Sequence, residues 1–328
     1  MLRQLKLIAC VGLLGISTYA IALAQGPSAG STGNPTLDHP GWIHIPGELI
    51  NPSCVHQLPK GANVEVNGNG QVTGQVTMNG RHYAQYAPCS DAPVVMRPQG
   101  QTPGVSSPIG TTNQWVETAE RYVSLNSSDD IDYLSSNWTV PSSPAEYGAI
   151  IYLFNGIEPS TETWILQPVL QFGYNGSFGG DYWEIASWVV SPHYAFYSEP
   201  EQVYTGDVLL GTTEEIGENT YNGTLYYEVI AQDTSSGATT WITTSTRGLH
   251  WVYGFDGTLE AYDVTSCNEY PDTTSVAFTN TKFDHGYTLL TPINPQSWMA
   301  DIITPNPGPA CGFSVTPNAG GSTLYWTP

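Results

Sequence analysis

The sequence predicts an all-β protein: a two-sheet β-sandwich or jelly roll, preceded by a small β-rich N-terminal segment. Three observations predict this class. Charged residues make up only 11% of the 328-residue chain, and amphipathic helices need such residues on their wet face. Glycine, proline and tyrosine are abundant, with 34, 25 and 20 residues. Runs of β-branched and aromatic residues also recur between polar turns, which is the pattern of short strands.

The N-terminus has the form of a secretory signal peptide. Arg3 and Lys6 precede an apolar run that ends in the small-residue pattern Ala22-Leu23-Ala24. Thr18 and Tyr19 interrupt this run, whereas a membrane span needs roughly 20 apolar residues. We therefore expect residues 1–24 to be a signal peptide and the protein to be secreted.

The charge balance excludes several partner classes. The net charge of −21 leaves no basic face for phosphate groups, so we expect no nucleic-acid partner. The same charge opposes binding to anionic membranes, and we expect a monomer with no membrane partner. Many carboxylates with few cations suit an acidic medium, where protonation relieves self-repulsion.

Four cysteines remain after the signal segment, and in an oxidising compartment they are expected to pair. Of the three possible connectivities, we favour Cys54–Cys89 and Cys267–Cys311, because each pair is local in the sequence. The alternative, a zinc site, is disfavoured because no CxxC spacing occurs. The sequence thus indicates no metal.

Composition divides the rest of the chain into four parts. Residues 25–40 are small and polar and indicate a flexible lead, and residues 41–96 indicate a small β-rich module or propeptide. Residues 97–113 are rich in Pro, Gly and Ser, as linkers are, and residues 114–328 form the predicted sandwich domain. Within the module, Asn-Gly and Gly-Asn steps in residues 64–80 predict a hairpin.

The sandwich domain contains nine strand-like runs. They are SSNWTV, GAIIYLFN, TWILQPVLQF, YWEIASWVV, DVLLGTT, LYYEVIAQD, ATTWITTS, GTLEAYDV and SVAFTNTKF. The one helix-like stretch is NQWVETAERYV, residues 113–123. HExxH and GxSxG motifs are absent, which disfavours a helix-borne zinc protease and an α/β-hydrolase.

Two strands carry the candidate chemistry. Alternate side chains of a strand share a face, so Gln167 and Gln171 point one way, and so do Glu260 and Tyr262. A buried amide without partners costs roughly 1–3 kcal/mol, and a strand-borne carboxylate can act as a general base. Two interpretations stay open for both strands: a groove that binds a polar substrate, or a solvated outer face.

The stretch from about residue 137 to residue 280 resembles the eqolisin-type glutamic peptidases. The resemblance rests on short motifs in matching order, with similar spacings, over somewhat under half of the chain. The motifs are Thr139-Val140-Pro141, Gly156-Ile157-Glu158, Ile165-Leu166-Gln167, Ala186-Ser187-Trp188, Gly206-Asp207-Val208, Leu259-Glu260-Ala261 and Ala277-Phe278-Thr279-Asn280.

The resemblance implies a two-sheet sandwich that acts as a secreted acid endopeptidase on a polypeptide substrate, without metal or cofactor. It makes Glu260 the general base that activates water and Gln167 the donor to the developing oxyanion. It also implies a set of substrate-binding candidates: Phe154, Glu158, Gln171, Glu184, Trp188 and Tyr262.

The chain departs from the family pattern at three places. Phe154 and Asn155 stand where the family has a tryptophan before its Gly-Ile-Asp, and Pro168 stands where a small or hydroxylated residue is preferred. The family's Trp-Tyr-Glu-Trp segment corresponds to residues 187–190, so its glutamate is missing unless Glu184 replaces it.

Two other functions stay open. The first is a non-catalytic carbohydrate- or peptide-binding sandwich of the concanavalin-like type, since Trp and Tyr stack on sugars. The second is a glycan hydrolase or lyase on a jelly roll, which needs two carboxylates across a cleft, for which Glu184 and Glu260 are the conceivable pair.

Overall fold

The computed structural model describes residues 39–95, 115–123, 130–286, 298–302, 309, 311–318 and 320–328. The predicted signal peptide and the predicted linker at 97–113 lie outside these residues.

The regular elements among the described residues are two short 3-10 turns, Pro52–Cys54 and Cys267–Glu269, and a series of strands. In chain order the strands are β1 (Ile43–Ile45), β2 (Glu48–Ile50), β3 (Val55–Leu58), β4 (Ala62–Val66), β5 (Val72–Met78), β6 (Arg81–Gln85), β7 (Val94–Val95), β8 (Trp115–Tyr122), β9 (Ile131–Thr139), β10 (Ile150–Pro159), β11 (Ile165–Phe172), β12 (Trp183–Ser191), β13 (Tyr194–Ser198), β14 (Glu201–Gln202), β15 (Val208–Asn219), β16 (Thr224–Asp233), β17 (Thr239–Arg247), β18 (Trp251–Tyr262), β19 (Ser275–His285), β20 (Met299–Ile302), β21 (Ser314–Asn318) and β22 (Gly321–Tyr325).

Two large sheets pack face to face as a sandwich, which confirms the predicted fold class. The first sheet has the order β20-β8-β18-β10-β11-β12-β13-β3, with β14 beside β12. The second has the order β21-β22-β19-β9-β15-β16-β17-β4-β5-β6. Each of the nine predicted strand runs overlaps one of these strands, and most of the runs extend one or two residues beyond it.

Apolar side chains from both sheets fill the space between them. Leu153 and Leu170 of the first sheet belong to the same buried cluster as Leu209 and Phe278 of the second. A second inter-sheet cluster joins Leu166 to residues of the second sheet. The odd-numbered side chains of β11 therefore point away from the inter-sheet core, as the alternation predicts.

A third layer covers the outer face of the first sheet. Strands β1, β2 and β7 form a small separate sheet. Ile45 and Leu49 of this layer are completely buried in a cluster with Val169 and Trp188 of the first sheet. Both faces of β11 are therefore buried, and the interpretation of a solvated outer face is wrong for this strand.

Residues 51–85 extend both large sheets. Strand β3 pairs in parallel with β13, and β4 pairs in parallel with β17. The predicted hairpin is present as β4 and β5, and the next turn has positive φ at both Asn79 (52°) and Gly80 (71°), as a two-residue Asn-Gly hairpin requires. Disulfides join Cys54 to Cys89 and Cys267 to Cys311, the two favoured pairs.

The predicted helix-like stretch at 113–123 is wrong. Its described residues form β8, which pairs with β18 on one side and β20 on the other. Residues 115–119 are all buried, so there is no wet face for a helix to present. Tertiary pairing overrides the local preference here because it satisfies both edges of the strand.

Candidate active site

A row of four polar side chains crosses the outer face of the first sheet. Glu260 on β18 is the register partner of Tyr152 on β10, which is also the partner of Gln171 on β11. Gln171 in turn is the partner of Glu184 on β12. All four are buried. The row brings together three of the predicted site residues and adds Tyr152, which the sequence analysis did not include.

Gln167 lies on the same face as Gln171, four residues earlier in β11, with Trp188 as its partner on β12. Its side chain is completely buried. The pairing of β10 with β18 is irregular between Phe154 and Gly156, and the backbone of Gly156 lies close to Gln167. A Cβ atom on Gly156 would lie 2.8 Å from the carbonyl oxygen of Leu166 and 3.1 Å from Cβ of Gln167, so only glycine fits without a shift.

Gln167 and Glu260 bind the two ends of one peptide group. The Gln167 amide nitrogen donates to the carbonyl oxygen of Pro46 at 3.0 Å. The backbone N–H of Gly47 donates to both carboxylate oxygens of Glu260, at 2.8 and 3.0 Å. Strands β11 and β18 are separated by β10, so the two backbones are at least about 10 Å apart. A trans peptide group with a hydrogen bond at each edge bridges this gap.

Tyr262 adds a second donor to Glu260. Its hydroxyl donates to a carboxylate oxygen of Glu260 and lies 3.4 Å from the carbonyl oxygen of Ile45. Burial, and then the nearby Glu260 charge, raise the pKa of Tyr262 well above its ordinary value. The hydroxyl therefore keeps its proton and remains a hydrogen-bond donor at every pH at which the fold persists.

Gln171 holds a loop rather than the bound peptide. Its amide nitrogen donates to the carbonyl oxygens of Gly173 (2.9 Å) and Phe178 (3.2 Å), and its amide oxygen accepts from Asn175 (3.1 Å). The Phe178 ring stacks on Tyr197 with centroids 4.6 Å apart. The loop at residues 173–180 thereby closes one side of the cleft.

Trp188 and Glu184 border the same region. The Trp188 ring stacks on Tyr197 at 4.9 Å. Burial raises the pKa of Glu184 to about 7, so this carboxyl is protonated in acid. Three strand spacings, about 14 Å, separate the backbone of Glu184 from that of Glu260, the conceivable carboxylate pair of the glycan-hydrolase alternative.

Of the remaining two candidates, Phe154 lies in the same buried cluster as Ile45, Val169 and Trp188, and Glu158 lies farther along β10. Phe154 packs edge-on against Trp115 with centroids 5.4 Å apart and is completely buried. Glu158 is the register partner of Tyr253, which precedes Glu260 by seven residues on β18, or about 23 Å. The strand direction carries Glu158 away from Glu260, whereas its neighbour Ile157 is the register partner of Leu166, next to Gln167.

Most tryptophan side chains are buried in the protein core. Among the tryptophans, Trp42 and Trp241 are partly exposed and all others are buried. Core packing therefore explains most of the tryptophans, and they do not support a surface on which sugars stack.

Among the residues that the structure describes, no group of three or more His, Cys, Asp or Glu side chains is arranged to hold a metal ion. In that same part of the chain, no helix has both the length and the apolar character to cross a membrane.

The sequence matches no protein-family model, and it resembles no curated protein closely enough to match. Among solved structures it is similar to scytalido-glutamic peptidase bound to a peptide-based transition state analog, with 15% identity and a TM-score of 0.45 over 65% of this chain and 98% of that one. It is also similar to SCP-B, a member of the eqolisin family of peptidases in complex with the tripeptide Ala-Ile-His, with 15% identity and a TM-score of 0.43 over 65% of this chain and 98% of that one. For aspergilloglutamic peptidase from Aspergillus niger, the identity is 17% and the TM-score is 0.31, over 56% of this chain and 100% of that one. The similarity is low, so the roles considered below depend on the contacts within this chain.

Proposed function

We propose that this chain is a secreted, acid-active endopeptidase that hydrolyses peptide bonds with Gln167 and Glu260. The observation that carries the proposal is the bound peptide group of Pro46 and Gly47. Its carbonyl oxygen accepts from Gln167, and its N–H donates to Glu260. These are the two ends of a peptide bond at which hydrolysis needs a donor and a proton acceptor or donor.

The chemistry follows from these positions. Glu260 takes a proton from a water molecule, whose oxygen adds to the carbonyl carbon of the substrate. The carbonyl oxygen becomes an oxyanion, and the Gln167 amide donates to it. The carbon–nitrogen bond then breaks, and Glu260 returns the proton to the leaving amine. One water is consumed, and one carboxyl and one amine are formed.

The residue types suit this role in acid. An amide does not titrate, so Gln167 remains a donor at low pH. A positioned oxyanion donor contributes roughly 3–4 kcal/mol in other hydrolases. The two disulfides support an oxidising, extracellular location, because such bonds are rare in the cytosol.

The test is digestion of an unfolded protein such as denatured casein from about pH 2.5 to pH 7, since pH–rate profiles report the essential groups. The full-length protein is compared with Glu260→Gln and with Glu228→Gln, a control on β16 in the opposite sheet. Cleavage in acid that disappears in Glu260→Gln but persists in Glu228→Gln supports the proposal. Cleavage that survives Glu260→Gln refutes the assigned base.

A second function follows if hydrolysis fails. The cleft binds a peptide main chain through side-chain donors and acceptors, which is what a non-catalytic peptide-binding sandwich needs. Binding of a peptide without any cleavage by the wild type, at every pH tested, would favour this function.

A further inference from the structure

The peptide bound in the cleft belongs to a hairpin of the chain itself. Strands β1 and β2 pair with Ile45 opposite Glu48, which leaves Pro46 and Gly47 as a two-residue turn. Gly47 has φ 89°, a value that fits the third position of a type II turn after proline. In such a turn, the central C=O and N–H make no bond within the turn and can bind elsewhere. Here they bind Gln167 and Glu260.

Two tyrosines hold the main chain that precedes this turn. The Tyr152 hydroxyl donates to the carbonyl oxygen of His44 at 2.9 Å, and the Tyr262 hydroxyl lies 3.4 Å from that of Ile45. Together with the contacts to Pro46 and Gly47, three backbone groups of residues 44–47 are bound by side chains of the first sheet, while the single Tyr262 proton goes to Glu260. Because these contacts use the main chain, a peptide of any sequence can make them.

We propose that residues 44–47 are an intramolecular pseudosubstrate, and that Tyr152 binds the substrate main chain on the amino side of the cleaved bond. A substrate enters only when the hairpin tip leaves the cleft. This inference rests on the proposed function and adds to it the regulation of the cleft and one binding residue. While the hairpin is docked, both Glu260 oxygens accept hydrogen bonds, which must be released before Glu260 can act on water.

The hairpin is attached to a part of the chain that cannot leave easily. Strands β3 and β4, which follow it, pair with β13 and β17 of the two sheets. A disulfide joins Cys54 to Cys89, and Lys60 forms a salt bridge with Glu201. A cut in the segment before β8 would therefore leave these strands in place. Opening requires the movement of β1, β2 and their turn, and of β7 or its pairing with β2.

The first experiment displaces the tip. Gly47→Pro removes the N–H that Glu260 accepts and forbids φ 89°, since proline fixes φ near −65°. Gly41→Pro is the matched control, because Gly41 also has a positive φ (86°) but has no atom near its Cβ position and no contact with the cleft. For an unstructured peptide substrate, kcat/KM should rise by about tenfold or more in Gly47→Pro, and Gly41→Pro should behave as the wild type. Equal rates in all three proteins would overturn the proposal.

The second experiment supplies the hairpin in trans and does not depend on hydrolysis. Calorimetry measures binding of a synthetic peptide of residues 42–50 to Gly47→Pro, with a peptide in which Pro46 and Gly47 are exchanged as control. The native peptide should bind, Tyr152→Phe in the same background should weaken it several-fold, and a docked wild type should bind it poorly. If Gly47→Pro does not fold, His44→Ala replaces it, because this change removes the ring stacked on Tyr262 at 4.0 Å.

The two proposals fail in different ways. Peptide binding without any hydrolysis refutes the proposed function and supports the pseudosubstrate. Hydrolysis in acid, with a peptide of residues 42–50 that neither binds nor inhibits, refutes the pseudosubstrate and supports the function.

Discussion

Gln167 and Glu260 lie on the two strands that flank β10, and each contacts one end of the same peptide group. The amide faces the carbonyl of Pro46 and the carboxylate faces the N–H of Gly47. The carbonyl oxygen of this peptide group therefore points toward β11, and its N–H points toward β18.

Gln167→Ala should lower kcat by about 100-fold or more with little change in KM, because its hydrogen bond matters most when the carbonyl oxygen becomes charged. Steady-state kinetics on a peptide substrate in acid measures this effect. Gln232→Ala, on β16 of the other sheet, is the control. A change in KM alone would mean that Gln167 binds the ground state and does not stabilise the oxyanion.

Gly156→Ala should disturb Gln167 without touching its side chain. The added methyl group would lie 2.8 Å from the Leu166 carbonyl oxygen, so β10 and β11 must move apart, at a cost of about 1–3 kcal/mol. We expect a lower melting temperature and a lower kcat. Gly217→Ala, whose Cβ would contact nothing within 4 Å, should be neutral in both measurements. Full activity in Gly156→Ala would show that the position of Gln167 tolerates this shift.

Stability should increase as the pH falls from 9 to 5. Burial raises the pKa of Glu117 to about 9 and that of Asp256 to about 6, from 4.5 and 3.8. A carboxyl whose pKa is raised by folding stabilises the fold fully below its unfolded pKa, and this contribution is lost as the pH rises through the folded value. The stabilisation contributed by these two carboxyl groups is therefore lost between about pH 4 and pH 9.

Thermal unfolding at several pH values across this range checks the prediction. Glu117→Gln should flatten the upper part of the curve, because glutamine does not ionise. The opposite trend, with the highest melting temperature at pH 8 to 9, would contradict it.

The hairpin should leave the cleft more readily in acid. Burial lowers the pKa of His44 from 6.5 to about 4, where its ring stacks on Tyr262. Above pH 6.5 the ring is neutral in both states, so there is no penalty. Between 6.5 and 4 the released hairpin binds a proton and the docked one does not, so docking weakens. Below about pH 4 the ring is protonated in both states, and the loss of docking free energy relative to neutral pH stays constant at about 3 kcal/mol.

Hydrogen exchange of residues 43–50, measured by mass spectrometry between pH 4 and pH 7, tests this release after correction for intrinsic exchange rates. The titratable groups that face the ring are Tyr262 and Tyr152, with Glu260 and Glu48 near Tyr262. His44→Phe keeps the stacked ring and should remove the pH dependence. An unchanged pH dependence in that variant would assign it to the carboxyl groups instead.

Several features could be predicted because they depend on neighbours in sequence. Alternation along β11 placed Gln167 and Gln171 on one face, and the same rule paired Glu260 with Tyr262. The Asn79-Gly80 step and the two local cysteine pairs also match the structure. At residues 113–123 the local pattern misled, because pairing with β18 and β20 determines the conformation there.

The hairpin tip was missed although its signal was present. A Pro-Gly step between two short runs that each contain two apolar residues, Ile43–Ile45 and Glu48–Ile50, is a turn pattern. The pattern predicts a turn but not its docking site.

The sequence by itself determined the β class, the faces of the strands and the residue types capable of acid–base chemistry, because each follows from local periodicity and composition. Only the tertiary structure decided that Glu260 meets Gly47, which lies 213 positions away, and that Tyr152 joins the cleft. Such contacts depend on strand order and register, which are set by packing of the whole sheet. No local pattern encodes them.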